Sequence, residues 1–147
     1  MYVAVKQKIN VVIDTNLLVA AFFNKRSSSY RILKLVEEGK INFSWNEKIK
    51  KEAEKILGNI WKSVKSKVDK EKFLNNIFKK ENKITGVPRV NIIKEDPSDN
   101  KFLGCALKSG AALIVSNDEH LLKIKIYEGI PIAKPKNALR AINKIIK

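Results

Sequence analysis

Residues 9–13 (Ile-Asn-Val-Val-Ile) are β-branched and apolar on both alternations, interrupted only by Asn10 and stopped at Asp14. A strand with one wet face alternates apolar and polar residues. A run without that alternation suits a strand covered on both faces of a parallel sheet. A second apolar run, Ala112-Leu113-Ile114-Val115, is followed three residues on by Asp118. Parallel strands cannot be joined by tight turns, so such a chain must carry helices between its strands.

The intervening sequence supplies them. Residues 17–23 read as a short helix. Ser27-Ser28-Ser29 can cap another that carries Ile32, Leu33, Leu35 and Val36, with Gly39 as its stop. Residues 41–43 are expected to form a short second strand. Ser44-Trp45-Asn46-Glu47 has the form of a capping box, after which Trp45, Ile49, Ala53, Ile56 and Ile60 recur at near-helical spacing. Residues 61–83 are lysine-rich with apolar Val64, Val68, Phe73, Leu74, Ile77 and Phe78, predicting one or two amphipathic helices with a solvated basic face. After the break at Thr85-Gly86-Val87-Pro88, residues 90–93 are expected to be a third strand. Asp96-Pro97-Ser98-Asp99 then starts a helix packed through Phe102, Leu103, Ala106 and Leu107 and ended by Gly110. Residues 112–115 make a fourth strand, followed by a short helix through Leu122. Residues 124–127 and 130–133 are short and β-rich, one of them a candidate edge strand, and a last helix runs from about Pro135. The alternation predicts an α/β fold with a mostly parallel sheet, in one domain over residues 1–147.

Charge narrows the partners. The chain holds 30 Lys plus Arg against 15 Asp plus Glu, a net charge of +15. Such an excess implies an anionic partner, nucleic acid foremost. The single Cys105 excludes an intramolecular disulfide and reads as a small buried hydrophobe in a reducing, cytoplasmic setting. No apolar stretch approaches the ~20 residues of a membrane span, and the N-terminus lacks a signal-peptide core, so no membrane partner is expected. His120 is the only histidine, a poor basis for a triad or a zinc site, and is expected to pack at a helix start.

Against this basic background the placement of four acidic residues stands out. Asp14 ends the first strand and Asp118 follows the fourth. Asp99 opens a helix, and Glu52 falls on the apolar stripe of its own helix, three after Ile49 and four before Ile56. Ligands of parallel sheets bind beyond the carboxyl ends of the strands, where Asp14, Asp99 and Asp118 would meet and Glu52 could lean in. Converging carboxylates raise one another's pKa values unless cations neutralise them. Four negative charges balance two Mg²⁺ or Mn²⁺ ions, hard cations with oxygen ligands. Two such ions roughly 3.5–4 Å apart can activate water and stabilise the leaving oxygen of a phosphodiester.

Structural roles compete at each position. Asp14-Thr15-Asn16 can cap the first helix. Asp96 is an obvious N-cap, with Asp99 suited to the first turn. Ser116 with Glu119 forms a possible capping box that leaves Asp118 without a structural task, and Glu52 can pair with a lysine at the stripe's edge.

These residues resemble the PIN-domain ribonucleases, in particular the toxins of prokaryotic type II toxin–antitoxin systems. Residues 11–22 (VVIDTNLLVAAF) are similar to the family's first strand with its metal-binding Asp. Residues 95–122 (EDPSDNKFLGCALKSGAALIVSNDEHLL) resemble its third and fourth acidic motifs, and Glu52 matches the second. The resemblance implies a three-layer α/β/α sandwich around a mostly parallel sheet of four or five strands, with Asp14, Glu52, Asp99 and Asp118 as catalytic and metal-binding residues. Asn16 and Ser116 would support the site, with Asp96 a secondary acidic neighbour. It further implies one or two Mg²⁺ or Mn²⁺ ions, cleavage of single-stranded RNA, a homodimer, and a small antitoxin protein as partner. The sequence departs from the subgroup at Asn117, where Gly is frequent, and at His120, where many relatives carry Asp and a further carboxylate. Two rivals stand beside this reading: a non-catalytic RNA-binding module of the same fold, and a receiver-like phosphotransfer domain.

Overall fold

The strand at Asn10–Ile13 (β1) is covered on both faces, as its lack of alternation requires: Val11, Val12 and Ile13 are all buried. The same holds for Leu113–Val115 (β3), its neighbour in the sheet. Consecutive buried residues on adjacent parallel strands demand cover above and below, which makes the architecture a three-layer α/β/α sandwich. The computed structural model describes residues 8–63 and 70–147.

In chain order the remaining elements are α1 (Thr15–Phe23), α2 (Ser28–Glu37), β2 (Asn42–Phe43), α3 (Glu47–Ser63), α4 (Lys70–Ile77), α5 (Asn100–Ser109), α6 (Glu119–Leu122), β4 (Ile126–Tyr127), β5 (Ile130–Ala133) and α7 (Pro135–Ile146); 3₁₀ turns occupy Lys80–Asn82 and Pro97–Asp99. The five strands lie in the order β2-β1-β3-β5-β4. All pairs are parallel except the β4–β5 hairpin at the edge. That hairpin closes through Glu128 and Gly129, with φ of +49° and +80°, the pair of positive values a two-residue turn requires. From β1 the chain steps to β2 on one side and later to β3 on the other. The strand order therefore reverses between β1 and β3, and their carboxyl ends form a crevice there. Helix α5 packs against both strands and α7 against β3.

Local chemistry sets most helix ends. Ser27 caps α2 by accepting from the Tyr30 amide at 3.1 Å, and Gly110 ends α5 with φ +64°. The cap of α3 is Asn46, not Ser44: Asn46 Oδ1 accepts from the Ile49 amide at 3.0 Å, while the Ser44 amide continues the sheet by donating to Val11 O at 2.9 Å. Along α3 the buried stripe runs Ile49, Ala53, Leu57, with Ile56 only half-buried. On α5, Leu107 is exposed rather than in the core. Of the expected basic face in residues 61–83, Val64 and Val68 lie outside the described residues, while Leu74, Ile77 and Phe78 are buried as expected.

The expected third strand is not one. Residues 90–93 have strand-like composition but pair with no strand among the described residues. Their backbone is held by one side chain: Asn100 Oδ1 accepts from the amides of Ile92 (3.1 Å) and Ile93 (2.9 Å), and Asn100 Nδ2 donates to Ile93 O and Pro97 O, each at 3.0 Å. A buried Asn thus does the work of a neighbouring strand. Gly104 closes the same contact from α5, since a Cβ there would sit 2.7 Å from Pro88 O and 2.8 Å from Val87 Cγ1.

Candidate metal centre

At the crevice between β1 and β3, the sheet ladder extends one residue past each strand: the Asp14 amide donates to Val115 O at 2.9 Å and the Ser116 amide to Ala133 O at 3.0 Å. These bonds fix the backbone from which two site residues project. Asp14 is 3% exposed. Its Oδ1 accepts from the Asn16 amide at 3.2 Å, capping α1, and its Oδ2 accepts from Ser116 Oγ at 2.7 Å. Ser116 Oγ in turn accepts from the Asp118 amide at 2.9 Å, and Asp118 Oδ1 accepts from the His120 amide at 2.7 Å. The expected Ser116–Glu119 capping box is therefore replaced. Asp118 itself caps α6, and Ser116 links the ends of the two central strands. Asn117 has no positive φ, so its backbone does not call for a glycine at that position.

Asp99 reaches the crevice by a different route. Asn100 anchors the preceding segment, and the 3₁₀ turn Pro97–Asp99 carries the carboxylate to the start of α5. Neither Asp96 nor Asp99 uses its side chain as a helix cap, contrary to the reading of Asp96 as a plain N-cap; Asp96 Oδ1 accepts from Ser98 Oγ at 2.7 Å instead. Asp96, Asp99 and Asp118 each present an oxygen such that the three atoms lie within 4.8 Å of one another. Asp14 stands just outside that trio, close enough for its charge to raise the pKa of Asp99. Asp96, expected only as a secondary neighbour, thus belongs to the tightest acidic group, while Asp14 and Glu52 flank it.

Glu52 is engaged elsewhere. Thr15 Oγ1 donates to its Oε1, and Lys101 Nζ pairs with its Oε2. The lysine at the stripe's edge is thus real, but it comes from α5 rather than from α3 itself. Its side chain is 8% exposed and also donates to Ser98 O at 2.7 Å. Lys101, Thr15 and Asn100 are the site residues that pattern reading passed over. A signal for Lys101 existed: Cys105, four residues on, marks the same helix face as buried.

Electrostatics set the aspartates apart from ordinary surface acids. Burial raises the pKa of Asp14, the Ser116 hydroxyl and Asn16 amide oppose the rise, and the charges of Asp118 and Glu52 add to it. Asp99 is pushed up to about 7, by burial first and then by Asp118, Asp96 and Asp14, with Lys101 partly offsetting them. Among the described residues, Asp99 Oδ2 is the buried side-chain atom that no donor meets. An anionic oxygen without a donor is expensive to bury. A divalent ion is the group that fits: it takes carboxylate oxygens as ligands, accepts several at once, and cancels their repulsion. Cys105 is buried and stands outside this acidic group, and burial pushes its thiol up to about 12. Trp45 belongs to the core, edge-on to Phe78 with its Nε1 donating to Lys79 O at 2.9 Å.

Among the described residues no helix is long and apolar enough to cross a membrane. No curated protein matches the chain. The sequence pattern of the PIN domain, a nuclease-type fold, matches residues 10–120, a span that holds both central strands and every acidic residue of the crevice. The receiver-like alternative falls away with that match, and the chain belongs to the PIN-domain family.

Proposed function

We propose that this PIN domain is a divalent-metal-dependent endoribonuclease that cuts single-stranded RNA. The observation that carries the reading is Asp99, whose Oδ2 is buried without a donor and whose carboxylate is grouped with those of Asp96 and Asp118, on a chain of net charge +15. Asp96, Asp99 and Asp118 would hold the ion, with Asp14, fixed by Ser116 and the Asn16 amide, completing the negative wall. A divalent ion there would supply Lewis-acid polarisation of the scissile phosphodiester. Glu52, the carboxylate outside the trio, is the candidate to orient the attacking water and take its proton. Asn16, exposed at the start of α1, would line the rim. The lysine excess would draw the phosphate backbone to the crevice, so binding should weaken steeply with salt.

The finer reading is that of a toxin: a homodimer in the cytoplasm, silenced by a small antitoxin, with Mg²⁺ or Mn²⁺ as cofactor. It rests on the resemblance of residues 11–22 and 95–122 to PIN toxins. Growth arrest on expression, relieved by the product of an adjacent gene, is the result that supports it; harmless expression of an active nuclease contradicts it.

The nuclease is tested by incubating mixed single-stranded RNA with the protein in Mn²⁺, in EDTA, and with Asp99→Asn and Asp118→Asn. Cleavage in Mn²⁺ alone, lost in both variants, is expected. Folded protein that binds RNA and never cuts it would instead establish the non-catalytic module.

A further inference from the structure

Lys101 holds a position that the proposed chemistry does not require. A lysine is rarely buried unless it is paired, because its ammonium loses three water contacts. Here the side chain crosses from the first turn of α5 to Glu52 on α3, nearly out of solvent, and secures itself on Ser98 O. Glu52 is left with both oxygens occupied, one by Thr15, the residue next to Asp14, and one by Lys101. The two carboxylates are therefore in opposite conditions: Asp99 Oδ2 has no hydrogen-bond partner, while each oxygen of Glu52 has one.

We infer that Lys101 is a latch on Glu52: an internal cation that keeps this carboxylate away from the aspartate trio until a divalent ion displaces it. The inference rests on the metal-dependent reading above and adds a regulatory element to the same site. In the metal-free protein the ammonium, paired with Glu52, supplies part of the positive charge that the acidic crevice lacks. An entering ion offers Glu52 a stronger partner but must first break the Lys101 pair. The latch therefore sets the metal concentration at which the full set of carboxylates assembles. Its signature is that Lys101 opposes metal binding through Glu52, rather than merely as a nearby charge.

A double-mutant cycle separates the two, because pairwise coupling appears only as a departure from additivity. Mn²⁺ affinity is measured by calorimetry and by the loss of free-ion paramagnetic signal, on the full chain, for wild type, Lys101→Met, Glu52→Gln and the double variant. Lys101→Met should bind Mn²⁺ about tenfold more tightly than wild type, within the usual range of coupling between sites. In the Glu52→Gln background the same change should gain no more than about twofold, the residue of a through-space charge effect. Lys101→Arg keeps the charge and can grip Glu52 with a two-pronged donor, so its affinity should equal or fall below that of wild type. This variant tests the latch even if Lys101→Met fails to fold. Equal gains in both backgrounds, or an Arg variant that binds more tightly, would overturn the latch while leaving the metal site standing. A folded wild type that binds no Mn²⁺ would instead overturn the metal reading itself.

Discussion

Asp14 and Asp99 are both buried carboxylates at the same end of the sheet, and they differ in what meets their oxygens. Asp14 sits in a built cradle, with a hydroxyl on one oxygen and a backbone amide on the other. Asp99 caps no amide, and its Oδ2 is buried without a donor. Burial raises the pKa of both, but only Asp14 has hydrogen bonds that oppose the rise. The contrast separates two uses of one side chain. A carboxylate whose bonds are all supplied by the protein holds the ends of β1 and β3 together; one left bare is kept for something that arrives.

The contrast can be broken most severely on the Asp99 side, through Asn100. Asn100→Ala removes the side chain that holds the Ile92 and Ile93 amides and Ile93 O. With buried backbone groups left unpaired, unfolding in urea should show a loss of roughly 3 kcal/mol. Mn²⁺ affinity should fall about tenfold as Asp96 loses its footing, the scale of removing a residue that orients a ligand. The Asp14 arm, which shares none of these bonds, should keep its native amide protection in hydrogen exchange.

Truncating each aspartate in turn sharpens the comparison directly. Asp14→Ala removes the α1 cap and the acceptor of Ser116, and should cost about 1–2 kcal/mol in metal-free protein. Asp99→Ala removes a carboxylate whose Oδ2 no donor meets and whose charge Lys101 only partly offsets, and should cost nothing or stabilise slightly. Urea midpoints in EDTA at pH 8 decide the order; a larger loss for Asp99→Ala would reverse the assignment of roles.

A smaller and more gradual effect follows from titration. Asp99 has a folded pKa of about 7 against an ordinary value of 3.8. Below both values the carboxyl is protonated in both states and has no effect on the balance. Between them the unfolded chain releases its proton while the folded one keeps it, so metal-free stability should fall as pH rises from about 4 to about 7, then level off. Asp14 adds to the trend in the same direction. Urea midpoints across that range should slope downward in wild type and noticeably less in Asp99→Asn, and saturating Mn²⁺ should flatten the slope.

What the sequence disclosed and what it hid follow from the range of the interactions involved. The doubly covered strands and the caps at Ser27 and Gly110 were legible because residue type, period and backbone preference act within a few positions. So was the placing of Asp14 and Asp118 at one sheet edge, since strand direction alone puts residues there. Asp99 was expected there behind a strand that does not form, and it arrives instead through the turn that Asn100 holds. Residues 90–93 were misread because β-branched composition does not reveal whether a backbone pairs with a strand or with the Asn100 side chain. The choice of Asn46 over Ser44 as a cap depended on where β2 stops bonding to β1, a tertiary fact. Asp96 looked like a cap by position, and only the geometry of the turn shows its carboxylate turned to the trio. Lys101 was hidden because its partner lies on another helix, 49 residues earlier in the chain.

The central claim is that Asp99 marks a cation site. Its most direct test is the urea stability of wild type and Asp99→Asn at pH 8, each with EDTA and with rising Mn²⁺. An ion bound only by the native state stabilises it by mass action, about 2.7 kcal/mol at a hundredfold excess over Kd. The account predicts that gain in wild type and almost none in Asp99→Asn, although the variant is at least as stable in EDTA. A wild type indifferent to Mn²⁺, or a variant that gains as much as wild type, would contradict it.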